Sequence, residues 1–188
     1  MRVIAGQFGR RTLRAPRGLD VRPTSDMLRE TLFNVLTAGN PEALHGSVWI
    51  DGFAGSGAVG IEALSRGAQQ VYFLESARAA AEAIRENLRR LGVTAGFEIQ
   101  ERDAISGLRR LEAAGRACDV CYFDPPWADH EAYEQVLGVL AAGRLLKPAG
   151  VVVAEHDKRF DPGTAAGALQ RYRRLDQGDA SLSFYRLP

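Results

Sequence analysis

Between residues 46 and 160 the chain alternates short apolar runs with stretches whose apolar positions recur at helical spacing. Val48–Asp51, Val71–Glu75, Phe97–Glu101, Val120–Asp124 and Val151–Glu155 read as strands. Ala58–Arg66, Ala77–Leu91, Ala104–Ala114 and His130–Ala142 read as the helices between them. Ile84, Leu88 and Leu91 form one apolar stripe that stops at Gly92. Tyr133, Val136, Leu137 and Leu140 form another that stops at Gly143. Strands alternating with helices of this length predict βαβ units and a parallel sheet covered on both faces. Leu169–Leu175 and Leu182–Leu187 read as two further strands, an antiparallel hairpin at the sheet edge.

The first 45 residues follow a different pattern. Residues 2–14 alternate loosely around Gly6 and Gly9, as in a short β-hairpin. Arg22-Pro23 is extended, and Thr24 or Ser25 caps a helix whose inner face is Leu28, Leu32, Val35 and Leu36, with Gly39 as its stop. The expected organisation is a basic N-terminal hairpin and helix over residues 1–45 and an α/β domain over 46–188. The chain has 188 residues, 46% of them hydrophobic, enough for one core. It has no apolar run of membrane-spanning length and no signal-peptide apolar stretch, so a cytoplasmic location is expected. Its net charge of +1 says little, but the distribution is uneven. Residues 1–30 hold seven arginines against three acids, so they carry about +4 and the remainder about −3. Such an arm suits phosphates, with Arg10, Arg11, Arg14 and Arg22 as the candidate contacts.

The first βα connection is Gly52-Phe53-Ala54-Gly55-Ser56-Gly57-Ala58-Val59-Gly60. Glycines there allow close backbone approach to a ligand, and the following helix offers unpaired amides. Gly55, Gly57 and Gly60 formally spell the dinucleotide fingerprint, so a nicotinamide dehydrogenase is one reading. The acids favour another. Asp51 ends the first strand, where a carboxylate suits an ammonium group and is a poor neighbour for a pyrophosphate. Glu75, at the second strand end, can accept ribose hydroxyls, and Asp103, followed by Ala104, follows the third, where an adenine amino group fits. Acids at three successive strand ends suit a cationic ligand that carries an adenosine, as S-adenosylmethionine does.

The fourth strand runs into Asp124-Pro125-Pro126-Trp127. Consecutive prolines stiffen the turn and leave its carbonyls without local donors. The Asp124 carboxylate and the Pro125 carbonyl can converge on one amino group while Trp127 stacks on a planar base. A base amino group is a poor nucleophile, because its lone pair is delocalised. Two acceptors that orient it and stabilise the charge developing on it supply what methyl transfer needs. Asp124, Pro125, Pro126 and Trp127 are therefore the candidate catalytic residues, and Asp51, Phe53, Ala54, Gly55, Gly57, Glu75, Asp103 and Ala104 the candidate cofactor residues. No metal is required. Cys118 and Cys121 lie three apart in one strand and should point to opposite faces, as packing rather than a metal pair. His45, His130 and His156 show no ligand spacing. Glu155-His156 lines the cleft or sits at its edge, and Asn87 reads as structural.

Taken together, Asp51–Gly57, Asp124–Trp127 and Arg22-Pro23-Thr24-Ser25 followed by Arg29–Asn34 resemble the RsmD family of bacterial small-subunit (16S) rRNA guanine-N2 methyltransferases. The resemblance extends over Glu62–Ala68, Asn87-Leu88, Glu155-His156 and Gly178–Leu182, and so over nearly the whole chain. It implies a class I, Rossmann-like S-adenosylmethionine-dependent methyltransferase: a mostly parallel, doubly wound, seven-stranded sheet with a small N-terminal β-hairpin. It also implies 16S rRNA in the assembling small subunit as partner. It carries the cofactor loop over to Asp51, Gly55 and Gly57, the ribose acid to Glu75, the adenine contact to Asp103 and the catalytic turn to Asp124–Trp127. Two positions depart from the family pattern. Gly52 stands where relatives usually have leucine, which bears on packing, and Ser76 where a Lys-Asp pair is common. The readings left open by the residues alone are the same chemistry on another amino acceptor (DNA adenine, another RNA base or a glutamine amide), the dehydrogenase, and a non-catalytic RNA-binding factor.

Overall fold

The computed structural model describes residues 1–16 and 25–188. Arg22, Pro23 and Thr24, named above, lie outside the described residues. The strands are β1 (Val48–Gly52), β2 (Gln70–Leu74), β3 (Phe97–Gln100), β4 (Cys118–Phe123), β5 (Leu146–Asp157), β6 (Ala165–Ala166), β7 (Leu169–Gln177) and β8 (Ala180–Arg186). The helices are α1 (Asp26–Leu36), α2 (Ala58–Ser65), α3 (Arg78–Leu91), α4 (Ala104–Ala113) and α5 (His130–Ala142). The strands form one sheet in the order β3-β2-β1-β4-β5-β8-β7-β6. β3, β2, β1, β4 and β5 are parallel, and the edge from β8 to β6 is antiparallel. This is the expected doubly wound α/β architecture with one strand more than seven. The added strand is the two-residue β6, where the chain after β5 folds back against β7.

Two apolar cores flank the sheet. One gathers α1, α2, α3 and the N-terminal segment over Trp49, Val71 and Phe73. The other gathers α4 and α5 over Ile50, Cys121 and Phe123. Adjacent strand positions thus serve opposite faces, as the pleat requires. Phe33 of α1 stacks on Trp49 with ring centroids 5.3 Å apart, which fixes α1 to the sheet. Ser25 caps α1 by accepting from Leu28 N at 3.1 Å, worth about 1 kcal/mol. Gly92 closes α3 in the left-handed conformation at φ 79°.

The N-terminal segment is less regular than a hairpin. It has one antiparallel bridge, Arg2 to Thr12, with Val3 N donating to Arg11 O at 2.9 Å and Arg10 N to Val3 O at 2.8 Å. Between the two bridge residues, four of its backbone amides bond to α2 instead. Ile4 N and Ala5 N donate to the buried Glu62 carboxylate at 2.7 and 3.0 Å, Phe8 N donates to Ser65 Oγ at 2.9 Å, and Gln7 N to Ser65 O at 2.8 Å. A Cβ on Gly6 would lie 1.9 Å from Ser65 O, so the segment needs glycine there to sit this close. Val3 and Leu13 complete the same core as Leu32 and Trp49.

Cys118 and Cys121 correct one expectation. Both pack in the core beneath α4 and α5, because the β4–β5 register shifts between Cys118 and Val120. Strict alternation fails at that irregularity. Burial pushes the Cys118 thiol up to about 12 and holds Cys121 well above its ordinary value, so both remain thiols. Among the described residues no three His, Cys, Asp or Glu side chains converge as a metal site, and no helix is long and apolar enough to cross a membrane.

Candidate active site

β1 and β4 are neighbours, with Gly52 opposite Phe123. The glycine loop after β1 and the Asp124–Trp127 turn after β4 therefore emerge side by side at the carboxyl ends of the strands. This is the topological switch point of a doubly wound sheet, where ligands bind. Asp124 N donates to Gly52 O at 3.3 Å and ties the two connections together. A Cβ on Gly52 would lie 3.3 Å from the Phe123 Cβ, so the missing side chain lets the strand ends approach. Phe53, next in the loop, sits at φ 58°. A non-glycine residue in this left-handed region costs about 1–2 kcal/mol, which the surrounding loop must hold.

The three glycines of the fingerprint divide their work. Gly55, at φ 56°, borders open space: a Cβ there would meet only Phe53 O, at 4.0 Å. Gly57 and Gly60 face protein. A Cβ on Gly57 would come within 3.1 Å of Ile84, and one on Gly60 within 2.3 Å of the Phe73 ring. The close backbone approach expected of all three belongs to Gly55, while the other two let α2 pack on β2 and α3.

The acids at the strand ends are all held. Asp51 is buried, and its carboxylate accepts from Gly60 N at 2.8 Å. Burial pushes its pKa up to about 8; the Gly60 hydrogen bond opposes this rise and the nearby Glu75 charge adds to it. A buried carboxyl with this much unmet demand for positive charge suits a cationic ligand group. Glu75 accepts from Gly55 N at 2.7 Å with one oxygen and from Ala77 N at 2.8 Å with the other, so it shapes the loop as well as facing it. Asp103 is exposed and caps α4, accepting from Ser106 N at 2.9 Å and Ser106 Oγ at 2.6 Å. Those bonds hold its pKa below the ordinary carboxylate value. Ala104, which follows it, is buried.

The Asp124–Trp127 turn is anchored at both ends. Beyond the Asp124 bond to β1, Asp129 N donates to Pro126 O at 2.7 Å, and the Asp129 carboxylate caps α5 through Ala132 N at 3.2 Å. Pro125 is buried, Asp124 half-buried and Pro126 exposed. Trp127 packs its inner part on the α2-side core. Beneath the turn, Tyr122 Oη donates to Glu155 at 2.5 Å, and Tyr133 Oη donates to the Glu155 carbonyl at 3.0 Å. The Tyr133 hydroxyl is held protonated, first by burial and then by the charges of Asp124 and Glu155. His156 is buried against Ser183, with Nε2 and Oγ 2.9 Å apart, and burial lowers its pKa. Glu155 thus ties β5 to β4 and α5, while His156 bonds across to β8.

The basic arm is mixed in character. Arg10 and Arg11 are exposed, and Arg11 donates to Arg90 O at 3.0 Å. Arg14 pairs with Glu86. Arg29 is fully buried, bonding Arg2 O at 2.7 Å and Asp26 at 2.6 Å, so it locks α1 to the arm and cannot meet phosphate. Arg22 lies outside the described residues. Arg89 and Arg90, exposed in the last turn of α3 beside Arg11, extend the basic surface. Their one sequence signal is a pair of cations in the last turn of a helix. Asn87 bridges Arg14 and the glycine loop. In the residue pattern its signal is a polar residue beside an apolar stripe, within the Asn87-Leu88 stretch the family resemblance includes.

Comparison with known proteins bears on the family and the fold. A family model described as conserved hypothetical protein 95 matches residues 1–186. The ribosomal RNA small subunit methyltransferase D of Haemophilus influenzae is 35% identical over 159 residues, covering 84% of this chain and 79% of that protein. The protein of the same name from Escherichia coli K12 is 29% identical over 186 residues, covering 99% and 89%. The hypothetical protein TTHA0928 of Thermus thermophilus has a solved structure that matches with a TM-score of 0.83 at 28% identity, covering 100% and 99%. SMU.776, solved in complex with SAH, shares the fold at 12% identity and a TM-score of 0.68, over 86% of this chain and 48% of that one.

Proposed function

The chain belongs to the family described as conserved hypothetical protein 95, the RsmD family, and on that premise we propose that it transfers a methyl group from S-adenosylmethionine to the exocyclic N2 amino group of a guanosine in small-subunit (16S) ribosomal RNA. The observation that carries this reading is the juxtaposition of two connections. The glycine loop with its buried Asp51 and the Asp124–Trp127 turn share one mouth, joined by the Asp124 N to Gly52 O bond.

The residues fit the cofactor. Asp51 supplies negative charge to its ammonium end, Gly55 gives the backbone clearance, and Glu75 and Asp103 stand at the next strand ends for ribose and adenine. Bound there, the cofactor contributes an activated methyl group on a sulfonium. The protein supplies the acceptor side. Asp124 and the Pro125 carbonyl hold the two N–H bonds of the amino group. That orients the nitrogen lone pair and stabilises the positive charge that grows on it. Asp124 is placed to take the released proton. Trp127 offers its exposed part to the base plane. A guanosine reaches this turn only once it has left its stack, so the target lies in a loop or an unpaired segment. Arg10 and Arg11, with Arg89 and Arg90 beside them, hold the flanking phosphates.

The test is Asp124→Ala on small subunits from cells lacking the endogenous enzyme. Methyl transfer should fall by at least about a hundredfold, the scale of losing a charge-stabilising group. SAH affinity should stay within about threefold, because Asp124 faces the acceptor. Wild-type turnover by the variant would remove Asp124 from the mechanism. Wild-type transfer to duplex DNA but not to subunits or rRNA would move the acceptor to DNA.

A further inference from the structure

Asn87 lies on α3 and is 1% exposed, yet every strong hydrogen bond of its amide goes to another segment. Its Oδ1 accepts from Arg14 N at 2.8 Å, and its Nδ2 donates to Arg14 O at 3.0 Å and to Ser56 O at 3.1 Å. Arg14 belongs to the basic N-terminal segment. Ser56 stands between Gly55, which borders open space, and Gly57, which caps α2. One side chain therefore clamps the arm to the loop that meets the cofactor. A second contact joins the same two places, since Ser56 Oγ lies 3.4 Å from Met1 Sδ. The segment is tied to the loop directly at Met1 and through Asn87 at Arg14, and between them it is held on α2 by Glu62 and Ser65.

Burying an amide among apolar neighbours is costly unless its bonds are made. Helix packing alone would be served by an apolar residue at position 87, beside Ile84 and Leu88. What asparagine adds is a rigid spacer of two donors and one acceptor between two backbone segments far apart in the sequence.

We propose that Asn87 is a positioning residue that couples the N-terminal segment to the cofactor loop, so that occupancy of the cofactor site tightens the docking of the segment and, through it, the affinity for RNA. The RNA half of this inference rests on the substrate reading above, and the protein half on the cofactor reading alone. Ligand contact at Gly55 orders the loop that carries Ser56 O. An ordered Ser56 O holds the Asn87 amide, and the amide holds both backbone groups of Arg14. By linkage, RNA on the arm must then tighten cofactor binding by the same factor.

The experiment uses the full chain, with SAH as the cofactor-site probe. Amide hydrogen exchange over residues 1–14 is followed with and without saturating SAH, in wild type and in Asn87→Ala. SAH should slow exchange of the Arg14 and Ile4 amides at least about threefold in wild type and leave them unchanged in the variant. A matched measurement needs no variant: 16S rRNA transcript affinity with and without SAH should differ by the same factor in wild type. A merely structural Asn87 would lower stability and shift both affinities, but it would leave their ratio intact. Exchange that SAH slows equally in both proteins overturns the coupling, as does a wild-type ratio of one. If Asn87→Ala does not fold, the wild-type ratio decides alone. Absence of SAH binding would overturn the cofactor reading and the coupling with it. Absence of RNA binding alongside SAH-dependent protection would overturn the substrate reading and leave the coupling standing.

Discussion

Asp51 makes the cofactor site sensitive to pH in a direction that can be worked out. Its carboxyl is buried and its pKa is pushed up to about 8, so near pH 7 roughly nine molecules in ten carry it protonated. A ligand ammonium is held well only by the ionised form. Binding should then release about 0.9 proton per SAH near pH 7. The apparent affinity should rise about ninefold from pH 6 to 7 and about fivefold more by pH 8, roughly 2.3 kcal/mol in all at about 1.4 kcal/mol per unit. Calorimetric titration of SAH in buffers of different ionisation enthalpy reads the released protons directly. Asp51→Asn keeps an acceptor for Gly60 N but cannot ionise, so its binding should be weaker, flat with pH and free of proton release. Stability moves the opposite way. A folded-state pKa raised above the unfolded value contributes stability that is full below about pH 4 and lost as pH rises towards 8, because the unfolded chain has already released that proton. Between pH 5 and 8 the ligand-free wild type should therefore lose more thermal stability than Asp51→Asn. Release of less than about 0.2 proton, or the same pH profile in the variant, would refute the assignment of Asp51 to the cationic end of the ligand.

Other expectations follow from the docking of the arm. Glu62→Ala strips the acceptor from Ile4 N, Ala5 N and the Arg66 guanidinium at a fully buried position, so it should cost about 3 kcal/mol in denaturant unfolding. A loss below about 1 kcal/mol would mean that the segment is not held there. Arg10→Ala combined with Arg11→Ala should weaken 16S rRNA binding and reduce the slope of log affinity against log salt by about 1.5, as expected for two lost phosphate contacts. An unchanged slope would remove the arm from the RNA interface.

The layout of the sheet and the place of the site were legible because they rest on local pattern. Each parallel strand is a short apolar run, and each covering helix has an apolar stripe ended by a glycine or a cap. The two loops that matter follow strands whose adjacency the doubly wound topology dictates. What stayed hidden depends on packing between distant segments. The loop glycines look alike in the sequence, and only the positions of Phe73 and Ile84 separate Gly60 and Gly57 from the open Gly55. Arg29 counts as one more arm cation until α1 turns it inward onto Arg2 O and Asp26. Strand alternation misplaces Cys118 relative to Cys121 because a register shift cannot be read from residue types. β5 extends back to Leu146, although Pro148 and Gly150 give that stretch the signature of a loop. Asn87 is the plainest case, since its partners are 73 and 31 positions away.

The measurement that bears most directly on the account is the nucleoside composition of 16S rRNA before and after reaction. Small subunits from cells lacking the endogenous enzyme would be incubated with the protein and S-adenosylmethionine, then digested and resolved by mass spectrometry. The expected result is a single new nucleoside, N2-methylguanosine, approaching one per 16S rRNA. A methyl group recovered on adenosine or cytidine, or on protein alone, would contradict it.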